Sequence, residues 1–211
     1  MSWRAINRKP RRAPLSEEER KRSGKHHGGH LATRIAKVLS SRDIYQGKAF
    51  GLRHERVREP GGLISERDIV THHGSAVVLP VFPDGSILLV RQYRHAAGRI
   101  LWELCAGHIE PGERPVATAQ RELAEETGYA AARMEKLVDF FPSPGLLSER
   151  MWVFLATRLT AGAARPEEDE RITIRRFSAR EIERMMRKGA GLDGKSLAGI
   201  LFYWRFRKNR R

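Results

Sequence analysis

Three glutamates, Glu122, Glu125 and Glu126, lie within five residues, a spacing that brings them together on one side of a helix. Like charges three or four positions apart on a helix repel each other by roughly a few tenths of a kcal/mol per pair. Clustered carboxylate oxygens are the ligands that Mg²⁺ or Mn²⁺ prefers, and such an ion offsets the repulsion. The spacing therefore indicates a divalent-metal site. For the glutamates alone, the alternative is a solvated acidic face with Arg121 as a local partner.

The helix that carries these glutamates has clear limits in the sequence. Pro115 suits the first turn of a helix, and Gly128 suits the position just after its end. Between them, apolar or small residues recur at spacings of three and four, at Val116, Ala119, Leu123 and Thr127. The pattern predicts a helix that buries this stripe and carries the glutamates on the neighbouring face.

The surrounding stretch, GHIEPGERPVATAQRELAEETGY (residues 107–129), extends the pattern well beyond three acids. Its glycines, its Arg-Glu-Leu triplet and its paired glutamates resemble, at every defining position, the signature box of the Nudix hydrolases. The resemblance implies an enzyme that cleaves a pyrophosphate linked to another group, with Mg²⁺ or alternatively Mn²⁺ as cofactor. It implies an α/β (α+β) fold, the Nudix α/β/α sandwich with a mixed sheet, in which the box forms a loop, a helix and a second loop.

The resemblance also implies roles by matching position. Arg121 would position the glutamates through a salt bridge, and Glu113 would organise the loop. The implied metal ligands are Glu122 and Glu126 as main ligands, Glu125 in support, and the backbone carbonyl of Ala106.

Residues outside the box resemble the ADP-ribose pyrophosphatase subfamily. The similar segments are SPGLLSER (residues 143–150), LLVRQYR ahead of the box and WELCAG leading into it. Pro144 follows Gly128 by 16 residues, and Cys105 stands where the subfamily usually has proline. The resemblance implies ADP-ribose as substrate, with AMP and ribose 5-phosphate as products.

Further site residues follow from the subfamily resemblance. Arg94 would contact substrate phosphate or ribose, and Glu149 would bind substrate or line the site. Glu170, or alternatively Glu168, would orient or activate the attacking water from the loop PEEDERITI. A surface arginine at a strand end and a solvated acidic loop are the alternatives for these segments.

The chain divides into four segments. We expect a basic, disordered tail over 1–40, a β appendage over 41–70, the Nudix domain over 71–206 and a basic tail over 207–211. Turns are predicted at Pro60–Gly62 and, as a hairpin, at Pro83–Gly85, with ILWELCAG as one short strand. Ser178 and Glu181 predict a capping box, and a last helix is expected over 195–206. The resemblance implies a homodimer built through the appendage, where Tyr45 or Phe50 could stack on adenine or simply pack locally.

The formal net charge of +15 belongs to the chain ends. Residues 1–40 hold 11 Lys/Arg and three Glu, and residues 205–211 hold five Arg/Lys, so residues 41–204 keep only +2. The tails could contact nucleic acid or simply be solvated. One cysteine and no apolar run of about 20 residues predict a cytoplasmic protein without a membrane span.

Rival functions remain open at this point. The same enzyme class could act on GDP-mannose, another nucleotide sugar or NADH, or process RNA caps or 5′-triphosphates. A non-catalytic sensor of ADP-ribose is the alternative from another class, although such proteins usually carry a damaged box and this box is intact.

Overall fold

A computed structural model of the protein describes residues 35–164, 172–189 and 191–208. The strands in this part are β1 (Lys37–Gln46), β2 (Gly51–Arg58), β3 (Ile64–Thr71), β4 (Ser75–Pro80), β5 (Ile87–Arg94), β6 (Arg99–Glu103), β7 (Cys105–His108), β8 (Tyr129–Phe140), β9 (Met151–Ala161) and β10 (Thr173–Phe177). The α-helices are α1 (Pro115–Thr127), α2 (Ala179–Arg187) and α3 (Gly194–Phe206), and a short 3-10 helix spans His95–Ala97.

The N-terminal β segment is an antiparallel sheet in the order β1-β2-β3. The turn predicted at Pro60–Gly62 is confirmed, since it joins β2 to β3. β1 begins at Lys37, so this segment starts before residue 41, and every residue of β1 is exposed. Of the tail expected over residues 1–40, residues 1–34 lie outside the described residues.

The central sheet has the order β7-β4-β9-β8 and is mixed, because β4 runs parallel to β9 and antiparallel to β7. β4 is buried along its whole length. Its side chains alternate between two apolar clusters, as the period of a strand requires. Ala76 and Val78 pack with α1, whereas Val77 and Leu79 pack with buried residues of α2 and α3. Helices therefore cover both faces of β4, as the predicted α/β/α layering requires.

Two predictions about neighbouring strands differ from the structure. Across the Pro83–Gly85 turn a single antiparallel bridge forms, between Val81 and Ile87. Beyond this bridge the two strands separate, because β4 and β5 belong to different sheets. β5 lies between β10 and β6, whereas both edges of β4 are taken by β7 and β9. The segment ILWELCAG likewise forms two strands, β6 and β7, which also belong to different sheets.

The helix limits agree closely with prediction. α1 begins with Pro115 and ends at Thr127, and it is capped by Gly128, whose φ of 72° is the left-handed conformation that glycine adopts readily. The Ser178–Glu181 capping box opens α2, and the last predicted helix is α3. No helix in the part of the chain that the structure describes is long and apolar enough to cross a membrane.

Candidate active site

Arg121 gathers the acidic residues of the box. Its Nη1 donates to Glu122 Oε1 at 2.7 Å and to Glu125 Oε2 at 3.0 Å. Its Nε and Nη2 donate to the two carboxylate oxygens of Glu113 at 3.3 and 3.2 Å, and Nη2 also reaches the His108 carbonyl at 3.3 Å. One guanidinium thus ties helix α1 to the loop before it and to the end of β7.

The ion pairs of Arg121 also fix charge states. The hydrogen bond to Glu113, supported by Glu122 and Glu125, raises the pKa of Arg121 above its ordinary value against the opposing effect of burial. The Arg121 hydrogen bond in turn lowers the pKa of Glu113. Both groups therefore stay ionised at neutral pH, and the repulsion among the glutamates is partly offset within the chain itself.

The acidic face of α1 lies directly against β7. A Cβ added to Gly107 would lie 1.8 Å from Glu122 Oε1, so the missing side chain gives that carboxylate its place. Glu126 is buried at 5% exposure and interacts with the Cys105 thiol. Burial, followed by the negative charge of Glu126 and a hydrogen bond to it, raises the pKa of Cys105, which keeps the thiol protonated.

The donor chemistry of this face fits a hard divalent cation. Glu122, Glu125 and Glu126 supply carboxylate oxygens, and the backbone of β7 runs beside them at the edge of its sheet. Among the described residues no three His, Cys, Asp or Glu side chains converge closely enough to hold an ion. Arg121 holds Glu122 and Glu125 on its own Nη1.

Arg94 lies in a network that the sequence did not reveal. Its Nε and Nη2 each donate to one oxygen of Glu103 at 2.8 Å, and Lys195 also donates to Glu103. Glu103 is 1% exposed, yet these two cations hold its pKa below the ordinary value despite burial. Its one sequence signal was an acid inside the apolar segment ILWELCAG, because a buried charge requires partners.

Glu149 is buried and faces inward. Its Oε1 accepts from the Ser75 hydroxyl at 2.5 Å and lies 3.9 Å from His72 Nδ1. The His72 ring packs on His108, with ring centres 4.7 Å apart, and burial lowers its pKa. Glu149 thus connects the Ser-Pro-Gly loop to the start of β4. Sequence reasoning missed His72, which carries no distinctive spacing.

The predicted water-activating residues, Glu168 and Glu170, lie outside the described residues. The strand leading to their loop is fixed at the end of α1, since Gly162 N–H donates to the Gly128 carbonyl at 2.6 Å. A Cβ at Gly128 would lie only 2.6 Å from the Ala164 nitrogen. A cavity of about 420 Å³ opens here, lined by Arg121, Ala124, Glu125 and Ala163. Of the three glutamates of α1, Glu125 borders this open cavity.

A family model, the NUDIX domain, matches residues 71–197. The chain belongs to the NUDIX family. The ADP-ribose pyrophosphatase of Mycobacterium tuberculosis is 38% identical over 81% of this chain and 84% of its own, and that of Bacillus subtilis is 36% identical over 79% and 91%. A GDP-mannose pyrophosphatase of Enterobacter sp. (strain 638) is 28% identical over 69% and 82%.

The resemblance inferred from the signature box is thereby confirmed. The solved structure of an ADP compounds hydrolase also matches, with a TM-score of 0.71 and 18% identity over 83% of this chain and 95% of that one. This likeness confirms the NUDIX fold, as predicted from the box. NUDIX hydrolases generally need divalent metal ions, which agrees with the donor chemistry of α1.

Proposed function

We propose that this NUDIX hydrolase cleaves the pyrophosphate of ADP-ribose to AMP and ribose 5-phosphate, with Mg²⁺ as its ion. The observation that carries the hydrolysis is the acidic face of α1, where Arg121 gathers Glu122 and Glu125 beside the buried Glu126. The choice of ADP-ribose is supported by the two ADP-ribose pyrophosphatases, each matched over more than three quarters of both chains.

The proposed ligands of the ion are Glu122, Glu125, Glu126 and the backbone carbonyl of Ala106. When bound, Mg²⁺ supplies charge neutralisation to the phosphate oxygens. Arg121 holds Glu122 and Glu125 in place. Arg94 presents the part of its guanidinium that Glu103 does not use to the substrate phosphate or ribose. Glu149 contributes by lining the wall of the site rather than by open contact, since it is only 8% exposed.

A carboxylate on the loop after β9 completes the proposal. Water adds to phosphorus, the bridging P–O bond breaks, and a base must accept the proton that the water loses. Glu170, or Glu168 as the alternative, takes that role. Support comes from the bond between Gly162 and Gly128, which anchors the start of this loop at the end of α1.

A homodimer is part of the proposal. The N-terminal sheet and its connections expose seven large apolar side chains, Val38, Leu39, Ile44, Tyr45, Phe50, Leu63 and Ile64. Exposed apolar side chains that form a patch are typical of protein–protein interfaces. Tyr45 and Phe50 pack on each other with ring centres 5.7 Å apart. Light scattering after size exclusion tests the dimer. The lone buried cysteine supports the cytoplasmic location that we propose.

The test of function is a panel of substrates with purified protein and Mg²⁺. We expect kcat/KM for ADP-ribose to exceed that for GDP-mannose, ADP-glucose, NADH, 8-oxo-dGTP and 5′-triphosphorylated RNA at least about tenfold, with AMP as product. The panel includes a Glu126→Gln control and a chelator control. Product formation by either control at the wild-type rate would overturn the metal-dependent reaction, and ADP-ribose binding without turnover would identify a sensor.

GDP-mannose is the second candidate substrate. The specific observation in its favour is the GDP-mannose pyrophosphatase that matches over 82% of its own length, although at 28% identity. The same panel decides between the two. If kcat/KM is highest for GDP-mannose, the proposed roles of the glutamates stand and GDP-mannose replaces ADP-ribose as the proposed substrate.

A further inference from the structure

A buried ion network links α3 to Arg94. Glu103 is 1% exposed and accepts hydrogen bonds from Arg94 at both carboxylate oxygens and from Lys195 at Oε2. The Lys195 side chain is itself only 8% exposed, so little of it faces solvent. Two charges are buried here at a desolvation cost that only close pairing offsets.

Lys195 is held from its other side by the first turn of α3. Its Nζ donates to Asp193 Oδ2 at 2.5 Å, and Asp193 caps the helix by accepting from Ser196 N–H at 3.1 Å. The Ser196 hydroxyl in turn accepts from the backbone N–H of Leu104 at 2.7 Å, next to Glu103. The ammonium position is therefore fixed by the helix start, and Glu103 cannot rotate without breaking these contacts.

Glu103 transmits this constraint to Arg94. Glu103 accepts hydrogen bonds from the Nε and Nη2 of Arg94. The Nη1 of Arg94 makes no hydrogen bond to any residue within 35–164, 172–189 and 191–208. The Arg94 side chain is 42% exposed, and its charge interacts with Glu126 of the acidic face on α1. The Nη1 of a planar guanidinium is therefore left outside the network, where its N–H groups can donate to a phosphate oxygen.

We propose that Lys195, through Glu103, is the positioning residue that sets Arg94 for contact with the substrate diphosphate. Lys195 also shares the charge of Glu103, so less of the Arg94 charge is neutralised and more remains for the phosphate. The inference deepens the proposed function and rests on it.

A double-mutant cycle tests the inference with ADP-ribose and Mg²⁺. Lys195→Met is expected to raise KM and lower kcat/KM at least about tenfold with Arg94 present, because a charged hydrogen bond to phosphate weakens. In an Arg94→Ala background the same change is expected to alter kcat/KM by less than about twofold. Lys195→Arg should recover part of the loss. Lys136→Met removes one charge from an exposed ion pair on β8 and serves as control.

Asp193→Asn provides a second variant if Lys195→Met folds poorly, because asparagine keeps the helix cap while releasing the ammonium. We expect the same rise in KM, smaller in size, with the melting temperature measured for every variant. Equal losses with and without Arg94, or an unchanged KM in folded Lys195→Met, would overturn the positioning role alone. If the wild-type protein itself fails to hydrolyse ADP-ribose, the proposed function fails and the inference fails with it.

Discussion

Gly107→Ala tests the metal role of α1 through a displacement that the structure defines. The added Cβ would lie 1.8 Å from Glu122 Oε1, whereas ordinary contact begins at 3.4 Å, so the oxygen must retreat by the difference, 1.6 Å. The obstructing atoms are the end of a flexible side chain, which can move without shifting the backbone. We therefore expect a folding cost of at most about 1 kcal/mol. A misplacement of about 1 Å at a reacting centre lowers the rate about 100-fold, and kcat should fall by at least that much.

The assay is AMP release from ADP-ribose over a titration of Mg²⁺, with thermal unfolding of the same samples. The concentration of Mg²⁺ at half activation should rise together with the fall in kcat. Gly194→Ala is the matched control, because a Cβ at the first position of α3 meets nothing within 4 Å. It should retain wild-type kinetics.

One result would refute the reasoning. If Gly107→Ala is folded and keeps the wild-type kcat and Mg²⁺ dependence, the place of the Glu122 carboxylate beside β7 does not matter to the reaction. The role of Glu122 would then be structural, as a partner of the Arg121 ion pairs that organise the loop before α1.

Three more predictions follow from the same region. Glu126→Gln should lower kcat at least about 100-fold, with little change in melting temperature, because it removes a proposed ligand oxygen without changing side-chain shape. Burial lowers the pKa of His72 in the folded protein, and Gly74 N–H donates to its Nδ1, which must be unprotonated to accept. As pH falls, His72 is therefore protonated in the unfolded chain at a higher pH than in the folded protein. The contribution of neutral His72 to the free energy of unfolding is fully present above about pH 6.5 and is lost as the pH drops toward the pKa of His72 in the folded protein. Urea unfolding across pH 5–7 should therefore show a flatter dependence for His72→Asn; an identical slope contradicts this. Gly128→Ala forces a left-handed φ and a backbone clash, and should cost at least about 2 kcal/mol in urea unfolding; an unchanged midpoint refutes that strain.

The local geometry of the site could be predicted from sequence. Helical spacing alone places Glu125 within reach of Arg121, and Glu122 beside Glu125 and Glu126, because residues three and four apart share one face. Pro115 and Gly128 fixed the helix limits, since their backbone preferences suit one position each. The match to the signature box then supplied the family, which the NUDIX domain match confirms.

Long-range partners could not be predicted. Lys195 and Glu103 are 92 positions apart, and no local rule pairs a lysine at a helix start with an acid at a strand end. The hairpin predicted at Pro83–Gly85 is limited to one bridge for a similar reason. A turn sequence determines how the chain reverses, whereas the partners of β4 depend on how β7 and β9 compete for its edges.

The ion network around Glu103 has a consequence for how this protein can vary. Arg94 and Lys195 balance Glu103 and Asp193, so the four residues together carry no net charge. Loss of any one charge leaves its partner uncompensated next to the core, whereas loss of a cation and an anion together does not. Among related chains we therefore expect these positions to change in charge-balanced pairs. Covariation between Lys195 and Glu103 should then mark the contact even where no structure has been determined.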